Sequence, residues 1–465
     1  MDLDCEIIYK QHKSVQNVCI IGLGYVGEHL LTCFINNNRY NNPYKIYGFD
    51  INKNKLTMLK KKYSLKGSVN SEYRFDSYQS VDTNCIHVDS SLFFTHDEND
   101  LKNVDLFCIC VPTLLNKSKT GIDNTHLLNV KNMLLRVAKE KCTIVIESSI
   151  FVGGTRELFG CFLEKNIYVG FSPQRVNPGT ISQPYHEIPK VISGLNKESC
   201  DIIYEYYSKI VNKVVPVSSC ECAEMCKLYE NCFRLINIAY VNEVSDLCSD
   251  YNINPYEMIE AASSKPFGFM PFTPGLGIGG HCIPVNPYYM GVNGFDKLKC
   301  LHTSLKYLEN RPKEKAIMIL NENKNMKNVL VVGAAFKPGE KILTNSPSLE
   351  LVNVLLNHNI NVDVYDPLVQ KTDNKCFSLF RPNYYLNILK NIYHYLFYKD
   401  PSRLCSDFKT GYVKWLDTNE FNFDNVINYD VIIVALKQHH IDWNILEQYE
   451  SIGKKIYWLG AQPIQ

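Results

Sequence analysis

The sequence predicts an α/β protein in which two Rossmann-like domains with parallel sheets are joined by a long central helix. A short β-branched run at residues 18–21 leads into a glycine-rich turn and a helix, and a similar run starts at residue 328. Such runs are typical of buried parallel strands. Between them, residues 221–252 contain neither proline nor glycine, which favours one long helix. We expect three domains, over residues 1–215, 216–310 and 311–465.

Composition narrows the class of protein. The 465 residues carry a net charge of +1, so nothing suggests a nucleic-acid or membrane-surface partner. The acidic N-terminus lacks a signal-peptide pattern, and no apolar segment approaches the ~20 residues that span a bilayer. The 18 cysteines form no short disulfide framework and no paired zinc-ligand motif. We therefore expect free thiols, no metal site and a cytoplasmic location.

A dinucleotide-binding motif follows the first strand directly. It consists of Gly22, Leu23, Gly24, Tyr25, Val26 and Gly27. In the strand–turn–helix context the first glycine makes the turn, the second admits a pyrophosphate and the third packs helix against strand. Tyr25 and Val26 open the helix, whose N-terminus faces the phosphates. A second strand, residues 45–49, ends at Asp50, which should accept hydrogen bonds from the adenosine ribose. This predicts NAD rather than NADP as the cofactor.

Two further strands end in residues suited to the same ligand. Residues 104–111 lead into Pro112 and Thr113, and residues 143–149 end at Ser149. Ligands of open parallel sheets lie beyond the carboxyl ends of the strands, so we expect these three residues near the cofactor. The alternative is that Thr113 and Ser149 only cap their strand ends.

A glycine- and proline-rich loop at residues 274–289 presents one cysteine, Cys282. Glycines let backbone approach a ligand closely, and prolines make the loop rigid. A thiol held in this way is suited to covalent catalysis. The alternative is a surface loop with an incidental cysteine.

The long helix carries a polar set upstream of this loop. Lys227 and Asn231 are four residues apart and share a face, and Arg234 lies a turn further on. Without other evidence, these polar residues would be interpreted as a solvent-exposed stripe on the helix. The presence of the cysteine loop favours an active-site position for Lys227 instead. Ser218 or Ser219 can cap the helix. At roughly 45 Å, it could also pair with its copy in a homodimer.

Together these motifs resemble those of the nucleotide-sugar (UDP-glucose/GDP-mannose) dehydrogenase family. The Gly-Gly-His-Cys loop followed by Ile-Pro-Val is similar to the branch that acts on UDP-N-acetylhexosamines. The resemblance implies NAD-dependent oxidation of a UDP-sugar C6 alcohol to the uronic acid through a Cys282 thiohemiacetal and thioester. The product would serve polysaccharide or glycan precursor synthesis. Lys227 and Asn231 would stabilise the oxyanion and a bound water, and Ser149 stands where the family usually has threonine.

The resemblance also implies a set of substrate contacts. The C-terminal Rossmann-like unit would hold the nucleotide end of the UDP-sugar, with Lys337 at the active-site cleft. Residues 261–270 would contact the sugar nucleotide, although an aromatic-rich stretch could equally serve packing. The implied substrate-binding residues are Arg175, Arg234, Phe269, Gly275, Gly279, His281 and Lys337.

Four positions depart from the family pattern. Gln174 and Asn286 stand where the family has glutamate and aspartate, and Ile342 and Thr344 stand where it has aspartate and arginine. An amide keeps the shape of a carboxylate but cannot accept a proton. We therefore expect hydride transfer to survive while thioester hydrolysis is slow.

Two alternatives remain at this stage. One is a catalytically impaired relative that binds UDP-sugar and NAD. The other is a related 3-hydroxyacid-type dehydrogenase, which would not need Cys282. An apparent insertion at residues 374–428 has no assigned role.

Overall fold

The computed structural model describes residues 17–38, 44–65, 91–116, 122–175, 184–292, 294–369 and 413–460. Within these ranges the chain forms two larger sheets, of eight and five strands, with long helices between them in the sequence. The predicted α/β class with two Rossmann-like sheets is confirmed. Of the predicted insertion at residues 374–428, only residues 413–428 lie within the described ranges. No described helix combines the length and apolar character needed to cross a membrane.

The larger sheet lies in the first half of the chain. Its eight strands run in the order β10-β9-β8-β7-β4-β1-β2-β3, and all neighbours are parallel except β8 and β9. β5 and β6 form a separate antiparallel pair. The ten strands are β1 (Asn17–Ile21), β2 (Lys45–Phe49), β3 (Leu92–Thr95), β4 (Leu106–Ile109), β5 (Leu114–Leu115), β6 (Ile122–Asp123), β7 (Thr143–Ile146), β8 (Tyr168–Phe171), β9 (Lys190–Gly194) and β10 (Val214–Pro216).

Helices cover both faces of this sheet. They are α1 (Tyr25–Asn38), α2 (Lys53–Leu65), α3 (Thr125–Val137), α4 (Gly154–Phe159) and α5 (Lys197–Tyr207). Alternate residues of β1 enter two different cores: Cys19 and Ile21 pack with residues of α3 and α4, whereas Val18 and Ile20 pack with residues of α1, α2 and α5. Because the strand is buried on both faces, its sequence is continuously apolar rather than alternating.

Two strands are shorter than the sequence predicted. β4 ends at Ile109 rather than at residue 111, and β7 ends at Ile146 rather than at residue 149. Beyond these ends the chain leaves the ladder, and the hydroxyl of Ser148 donates to the carbonyl of Val111 at 2.7 Å. Side-chain-to-backbone bonding thus replaces strand pairing where the two segments approach the predicted cofactor edge.

Four helices form the middle of the chain: α6 (Cys220–Asp250), α7 (Pro255–Ser263), α8 (Asn286–Gly291) and α9 (Lys299–Glu322). α6 begins one residue earlier and ends two earlier than predicted. Of its two candidate caps, Ser219 accepts a hydrogen bond from the backbone N–H of Cys222 at 3.1 Å. α6 and α9 share an apolar core that includes Leu235 and Leu305. Residue 311, where the predicted C-terminal domain begins, lies inside α9.

The second sheet contains five parallel strands in the order β13-β12-β11-β14-β15. Three helices accompany it within the described ranges: α10 (Pro347–Asn357), α11 (Phe423–Val426) and α12 (Asn444–Ser451). The strands are β11 (Asn328–Val332), β12 (Asn361–Tyr365), β13 (Val413–Trp415), β14 (Val431–Val434) and β15 (Lys455–Trp458).

Both sheets build their first turn in the same way. Gly22 follows β1 with φ +86°, and Gly333 follows β11 with φ +84°. In each case an aspartate at the end of the next strand, Asp50 or Asp366, accepts a hydrogen bond from the backbone N–H that follows the glycine, at 3.0 Å and 2.9 Å respectively. The two halves therefore share the strand and its glycine–aspartate turn, whereas only the first has the complete glycine motif with a helix directly after it.

Candidate active site

The three glycines of the first turn have distinct surroundings. A Cβ on Gly22 would lie 2.8 Å from the carbonyl oxygen of Cys110, and one on Gly27 would lie 2.0 Å from the carbonyl oxygen of Gly22. Nothing lies within 4 Å of the Cβ position of Gly24. Two glycines thus permit close backbone packing and the middle one leaves open space, which fits a pyrophosphate against the start of α1.

Asp50 lies beside this turn, where the sequence predicted it. One carboxylate oxygen accepts from the backbone N–H of Leu23 at 3.0 Å, and the other accepts from that of Asn52 at 2.9 Å. The ammonium of Lys55 is 3.9 Å away, and the Asp50 side chain is 14% exposed. Asp50 therefore holds the turn in place as well as facing solvent at the edge where a ribose would lie. The sequence predicted only the second of these two roles.

The predicted strand-end residues lie along the same edge. Pro112 is exposed, Thr113 and Ser149 are half-buried, and their strands, β4 and β7, are neighbours. Tyr289 of α8 reaches this edge: its hydroxyl donates to the carbonyl of Leu114 at 3.1 Å and contacts Thr113. The segment after the cysteine loop is thereby attached to the predicted cofactor edge. The sequence analysis did not identify Tyr289, because nothing local to it indicates a partner so distant in the chain.

Tyr25 and Val26 occupy the first turn of α1 and are half-buried. The ring of Tyr25 lies 4.3 Å from that of His29, centroid to centroid. Val26 packs against the core on the α1 side of the sheet. These contacts fix the start of the helix next to the open face of Gly24.

The cysteine loop is held between two hydrophobic cores. Leu276 packs into the core of the second sheet, whereas Ile278 packs between α6 and α9. Further along, the N–H of Gly280 donates to the carbonyl of Thr344 at 2.8 Å, and the amide of Asn345 donates to the carbonyl of Gly280 at 2.9 Å. The loop therefore forms a bridge between the central helices and the C-terminal unit, and Cys282 follows it with an exposed side chain.

Lys227 faces the cysteine from α6. Burial lowers the pKa of its ammonium, and the Cys282 side chain acts in the opposite direction through its charge. The ammonium donates to the backbone carbonyl of Gln174 at 2.6 Å. The structure thus brings together Lys227, Cys282 and Gln174, which are far apart in the sequence. Their arrangement places a cation where charge on sulfur or on an adjacent oxygen would need stabilisation.

Two buried amides lie near this group. Asn286, at the start of α8, is 1% exposed and donates to the carbonyl of Cys282 at 2.7 Å. Asn231, one turn after Lys227, is 5% exposed. Among the described residues, the Oδ1 of Asn286 and the Nδ2 of Asn231 have no hydrogen-bond partner. Buried polar atoms are rarely left in this state, so an oxygen-bearing ligand or water is expected to satisfy them.

The predicted substrate-binding residues differ in their surroundings. Arg234 and Lys337 lie close enough for their charges to interact, and burial lowers the pKa of Lys337. His281 and Phe269 are exposed, and the Cβ position of Gly275 faces open space. Gly279, by contrast, packs against Phe336, whose Cβ would lie 2.5 Å from an added methyl group. Space at the glycine is thus taken by protein rather than left for a ligand.

Arg175 is engaged within the protein. Its guanidinium pairs with Glu230 of α6 and donates to the carbonyl of Pro189 at 3.1 Å. These bonds anchor the segment that carries Gln174, whereas the sequence predicted a substrate contact. A buried ion pair also supports this segment: Lys190 pairs with Glu147 and donates to the carbonyl of Pro173 at 3.3 Å.

Glu147 and Lys190 were missed by the sequence analysis. Their side chains are 0% and 4% exposed, and Tyr207 donates to the second oxygen of Glu147. The available signal was that a charged residue, Glu147, directly follows the short, buried strand β7. Its partner could not be found from the sequence, because the two residues are 43 positions apart.

Ile342 and Thr344 supply neither the acidic nor the basic side chain that the family pattern has at these positions. Ile342 is half-buried and its carbonyl accepts from the N–H of Phe336 at 3.1 Å. Thr344 is exposed, and its carbonyl holds Gly280 as described above. The segment is therefore used through its backbone, to hold the cysteine loop.

Three models of the UDP-glucose/GDP-mannose dehydrogenase family match this chain. The NAD binding domain matches residues 16–211, the central domain matches residues 221–297 and the UDP binding domain matches residues 330–455. The glycine turn and Asp50 lie in the first of these ranges, and Lys227 and Cys282 lie in the second.

Relatives of known sequence cover most of the chain. A UDP-N-acetyl-D-mannosamine dehydrogenase from Methanococcus vannielii is 29% identical over 386 residues, 79% of this chain and 84% of the relative. A UDP-N-acetyl-D-glucosamine 6-dehydrogenase from Pseudomonas aeruginosa is 30% identical over 378 residues, 77% of this chain and 84% of the relative.

Solved structures share the fold. The UDP-D-ManNAc dehydrogenase from Pyrococcus horikoshii superposes with a TM-score of 0.69 at 25% identity, covering 95% of this chain and 93% of its own. A UDP-glucose dehydrogenase from Pyrobaculum islandicum gives a TM-score of 0.69 at 18% identity, covering 93% and 92%, and supports the fold alone.

Proposed function

This chain belongs to the UDP-glucose/GDP-mannose dehydrogenase family, and on that premise we propose that it oxidises the C6 alcohol of a UDP-sugar with NAD. The observation that carries the proposal is that the Lys227 ammonium, bonded to the carbonyl of Gln174 at 2.6 Å, lies within reach of the charge of Cys282, in a chain whose first sheet also carries an open glycine turn. A nucleophile, a cation and a dinucleotide cradle are the three parts that such an oxidation needs.

The residues of the chain divide the chemistry between them. NAD held by Gly24 and Asp50 would supply hydride acceptance twice per substrate, taking the alcohol to the aldehyde and the thiohemiacetal to the thioester. Between these events the Cys282 thiolate attacks the aldehyde carbon and forms a C–S bond, while the oxygen takes up a proton. Lys227 stabilises the negative charge on that oxygen. Water then replaces sulfur at the carbonyl carbon, which releases the acid and the thiol.

The last step is the one this chain is poorly equipped to perform. Removal of a proton from the attacking water calls for a base, and Gln174 and Asn286 are both amides. Asn286 also donates to the carbonyl of Cys282, which a carboxylate at that position could not do. We therefore propose that hydrolysis of the Cys282 thioester is the slow step.

The proposed substrate is a UDP-N-acetylhexosamine. Two kinds of relative, named for UDP-N-acetyl-D-mannosamine and UDP-N-acetyl-D-glucosamine, support this choice. Arg234 and Lys337 supply two neighbouring cations, which suit the diphosphate and sugar end of such a molecule. The acid produced would enter polysaccharide or glycan precursor synthesis. We place the protein in the cytoplasm, because its nucleophile must remain a reduced thiol.

The test compares NADH formation from NAD with UDP-N-acetylmannosamine, UDP-N-acetylglucosamine and UDP-glucose. We expect one of the acetamido sugars to give two NADH per enzyme in the first turnover. Cys282→Ser should stop at one, because no thioester can form, whereas Cys300→Ser on the exposed start of α9 should behave like the wild type. Equal NADH from wild type and Cys282→Ser would contradict the proposed role of Cys282 and favour a dehydrogenase that needs no thiol.

One observation favours a second candidate function. Both positions where the family has a base carry amides, so the chain could bind UDP-sugar and NAD and act as a catalytically impaired regulatory or scaffold protein. Calorimetric binding of both ligands with no NADH from any of the three sugars would support this candidate and contradict the first.

We also propose that the protein is a homodimer paired through α6. Five large apolar side chains on this helix are at least 41% exposed: Met225, Tyr229, Phe233, Tyr240 and Leu247. Their spacings of four and seven residues place them on one side of the helix, along about 33 Å. A long apolar stripe of this kind, on a helix otherwise packed against its own chain, suits pairing with a second copy.

A further inference from the structure

The entry to the cysteine loop is fixed at a single residue, Gly275. Its backbone N–H donates to the side-chain oxygen of Asn242 at 2.9 Å, and its carbonyl accepts from the Nε of Arg311 at 3.0 Å. Asn242 belongs to α6 and Arg311 to α9, and both are almost fully buried. Both peptide groups next to the Gly275 α-carbon are therefore bonded to the two long central helices.

The guanidinium that holds Gly275 is itself held by a cluster of polar groups. Arg311 pairs with both carboxylate oxygens of Asp246 and donates to the hydroxyl of Tyr307 at 2.7 Å. Lys315 adds an ion pair to Asp246 at 2.7 Å. Burial would raise the pKa of Asp246, but its bonds to Arg311 and Lys315 outweigh burial and hold that pKa below the usual value.

Burying the charge of Arg311 costs free energy, which suggests that the cluster has a role beyond stabilising the fold. Arg311 is 5% exposed, and removing a guanidinium from water is unfavourable unless its hydrogen bonds are made. Here three of its hydrogen bonds go to the cluster and one goes to the loop. The next residues of the loop, Leu276 and Ile278, enter two different cores, so a shift at Gly275 would displace the bridge that leads to Cys282.

Gly275 itself has open space at its α-carbon, although both of its peptide groups are bonded. A fixed backbone with one bare face suits close approach of a flat or bulky ligand. The cluster therefore sets the position of a candidate substrate contact and of the reactive thiol at once.

We propose that Arg311, supported by Asp246 and Asn242, is a positioning residue for the cysteine loop: it fixes Gly275 so that Cys282 lies opposite Lys227. This rests on the proposed function, since it assumes that the loop carries the reactive thiol. Arg311 touches neither substrate nor cofactor in this account and acts only through the loop.

The test uses Arg311→Ala in the full chain. Asp246 keeps Lys315 as its partner in this variant, so no carboxylate is left unpaired. We expect the second NADH of the first turnover, which requires the Cys282 thiohemiacetal, to form about tenfold to 100-fold more slowly, because a small displacement of the reacting thiol from its productive position is costly. The Kd for NAD should be unchanged, because the glycine turn lies far from Arg311 in the sequence. Each rate is normalised to the fraction of protein that is folded.

A second readout needs no turnover. Iodoacetamide labelling of Cys282, followed by peptide mass mapping, should slow in Arg311→Ala because the thiolate is no longer held beside the Lys227 ammonium. Labelling of the exposed Cys161 and Cys222 provides the internal reference. If the wild type gives no NADH but this labelling still slows, the positioning proposal stands and the dehydrogenase proposal fails.

The matched control is Lys313→Ala, which removes an exposed ion pair between α9 and Glu350 of α10 at 3.4 Å. It should match the wild type in every readout. If Arg311→Ala does not fold, Asp246→Asn takes its place, because it leaves Arg311 without its charged partner. Unchanged labelling and an unchanged burst per folded molecule would overturn the proposal.

Discussion

Lys227 carries its charge in a part of the molecule that water reaches poorly. Burial lowers the pKa of its ammonium below the usual 10.5, and the opposing effect of Cys282 offsets this only in part. The proposed chemistry uses the cation to stabilise an oxyanion. The protonated form is present below the lowered pKa and is lost as pH rises through it.

We therefore predict an alkaline loss of the NADH burst that begins below pH 10.5. Lys227→Arg should shift this loss to higher pH, because a guanidinium does not titrate in the range, even though its burst at neutral pH is weaker. Burst rates measured across pH for both proteins provide the check. An identical alkaline limb in the variant would show that another group is responsible.

The three glycines of the first turn make a second prediction at the scale of single residues. Gly27→Ala places a methyl group 2.0 Å from a backbone oxygen, so we expect the free energy of unfolding to fall by at least about 3 kcal/mol. Gly24→Ala meets no protein atom within 4 Å and should fold normally, but its Kd for NAD should rise at least about tenfold. Urea denaturation and calorimetry separate the two effects, and equal outcomes would contradict the assignment.

Sequence reasoning worked at residues whose role depends on neighbours in the chain. Gly22, Gly24 and Gly27 sit in a local strand–turn–helix pattern, and the structure gives each the predicted surroundings. It could not find the pair of Arg175 with Glu230, which are 55 residues apart, or the bond from the Asn286 amide to Cys282, which depends on the loop conformation; the substrate contact of Arg175 stays a prediction. Tertiary partners of this kind leave no local pattern.

At the scale of elements, α6 organises the site beyond carrying Lys227 and Asn231. Glu224 lies near the start of α6, one turn after the helix begins. In the structure Glu224 is fully buried and accepts from the N–H groups of Gly153 and Thr155, at 2.6 Å and 2.9 Å, at the start of α4. One helix thus caps another, because α4 has a glycine at its own cap position and no side chain to do so.

We predict that Glu224→Gln lowers the free energy of unfolding by about 1.5–3 kcal/mol, because one of two charged hydrogen bonds is lost and a donor then faces a donor. Urea denaturation measures the change. Glu221→Gln is the control: its pair with Arg156 is largely exposed, so the loss should stay under about 1 kcal/mol. A Glu224→Gln variant as stable as the wild type would mean that α4 needs no cap.

The strands and helices that were predicted could be recognised because the buried strands and the long helix have clear apolar patterns. The strand ends were not: β4 and β7 stop early where side chains such as Ser148 bond the backbone instead. Hydrogen bonds across a sheet edge are set by three-dimensional placement, which periodicity does not report.

At the scale of the whole molecule, the exposed stripe on α6 predicts the oligomeric state. Light scattering should give a mass near twice the 53.5 kDa of one chain. Tyr229→Asp with Tyr240→Asp, at two of the more exposed positions, should shift the protein to monomer because charges would be buried at the interface. Tyr204→Asp on α5, also exposed, should leave the mass unchanged. A monomeric wild type would contradict the proposed dimer.

Both halves of the molecule use the same glycine-and-aspartate turn. The cysteine loop bridges the central helices and the second half at Leu276, Ile278 and Gly280. The second half was recognisable in the sequence from its strands alone. The bridge was not, because residues of one loop enter two separate cores and bond to a segment 65 residues away. Cys282, at the end of that bridge, would form the thioester whose hydrolysis we propose to be slow.

The most direct test of that claim is intact-protein mass spectrometry after incubation with NAD and the UDP-N-acetylhexosamines, with NADH followed in parallel. We expect one burst of NADH and a stable adduct that peptide mapping places on Cys282. Gln174→Glu with Asn286→Asp should convert the burst to continuous turnover with no lasting adduct. Continuous NADH from the wild type, with no adduct and no gain in the double variant, would contradict the claim that hydrolysis is slow.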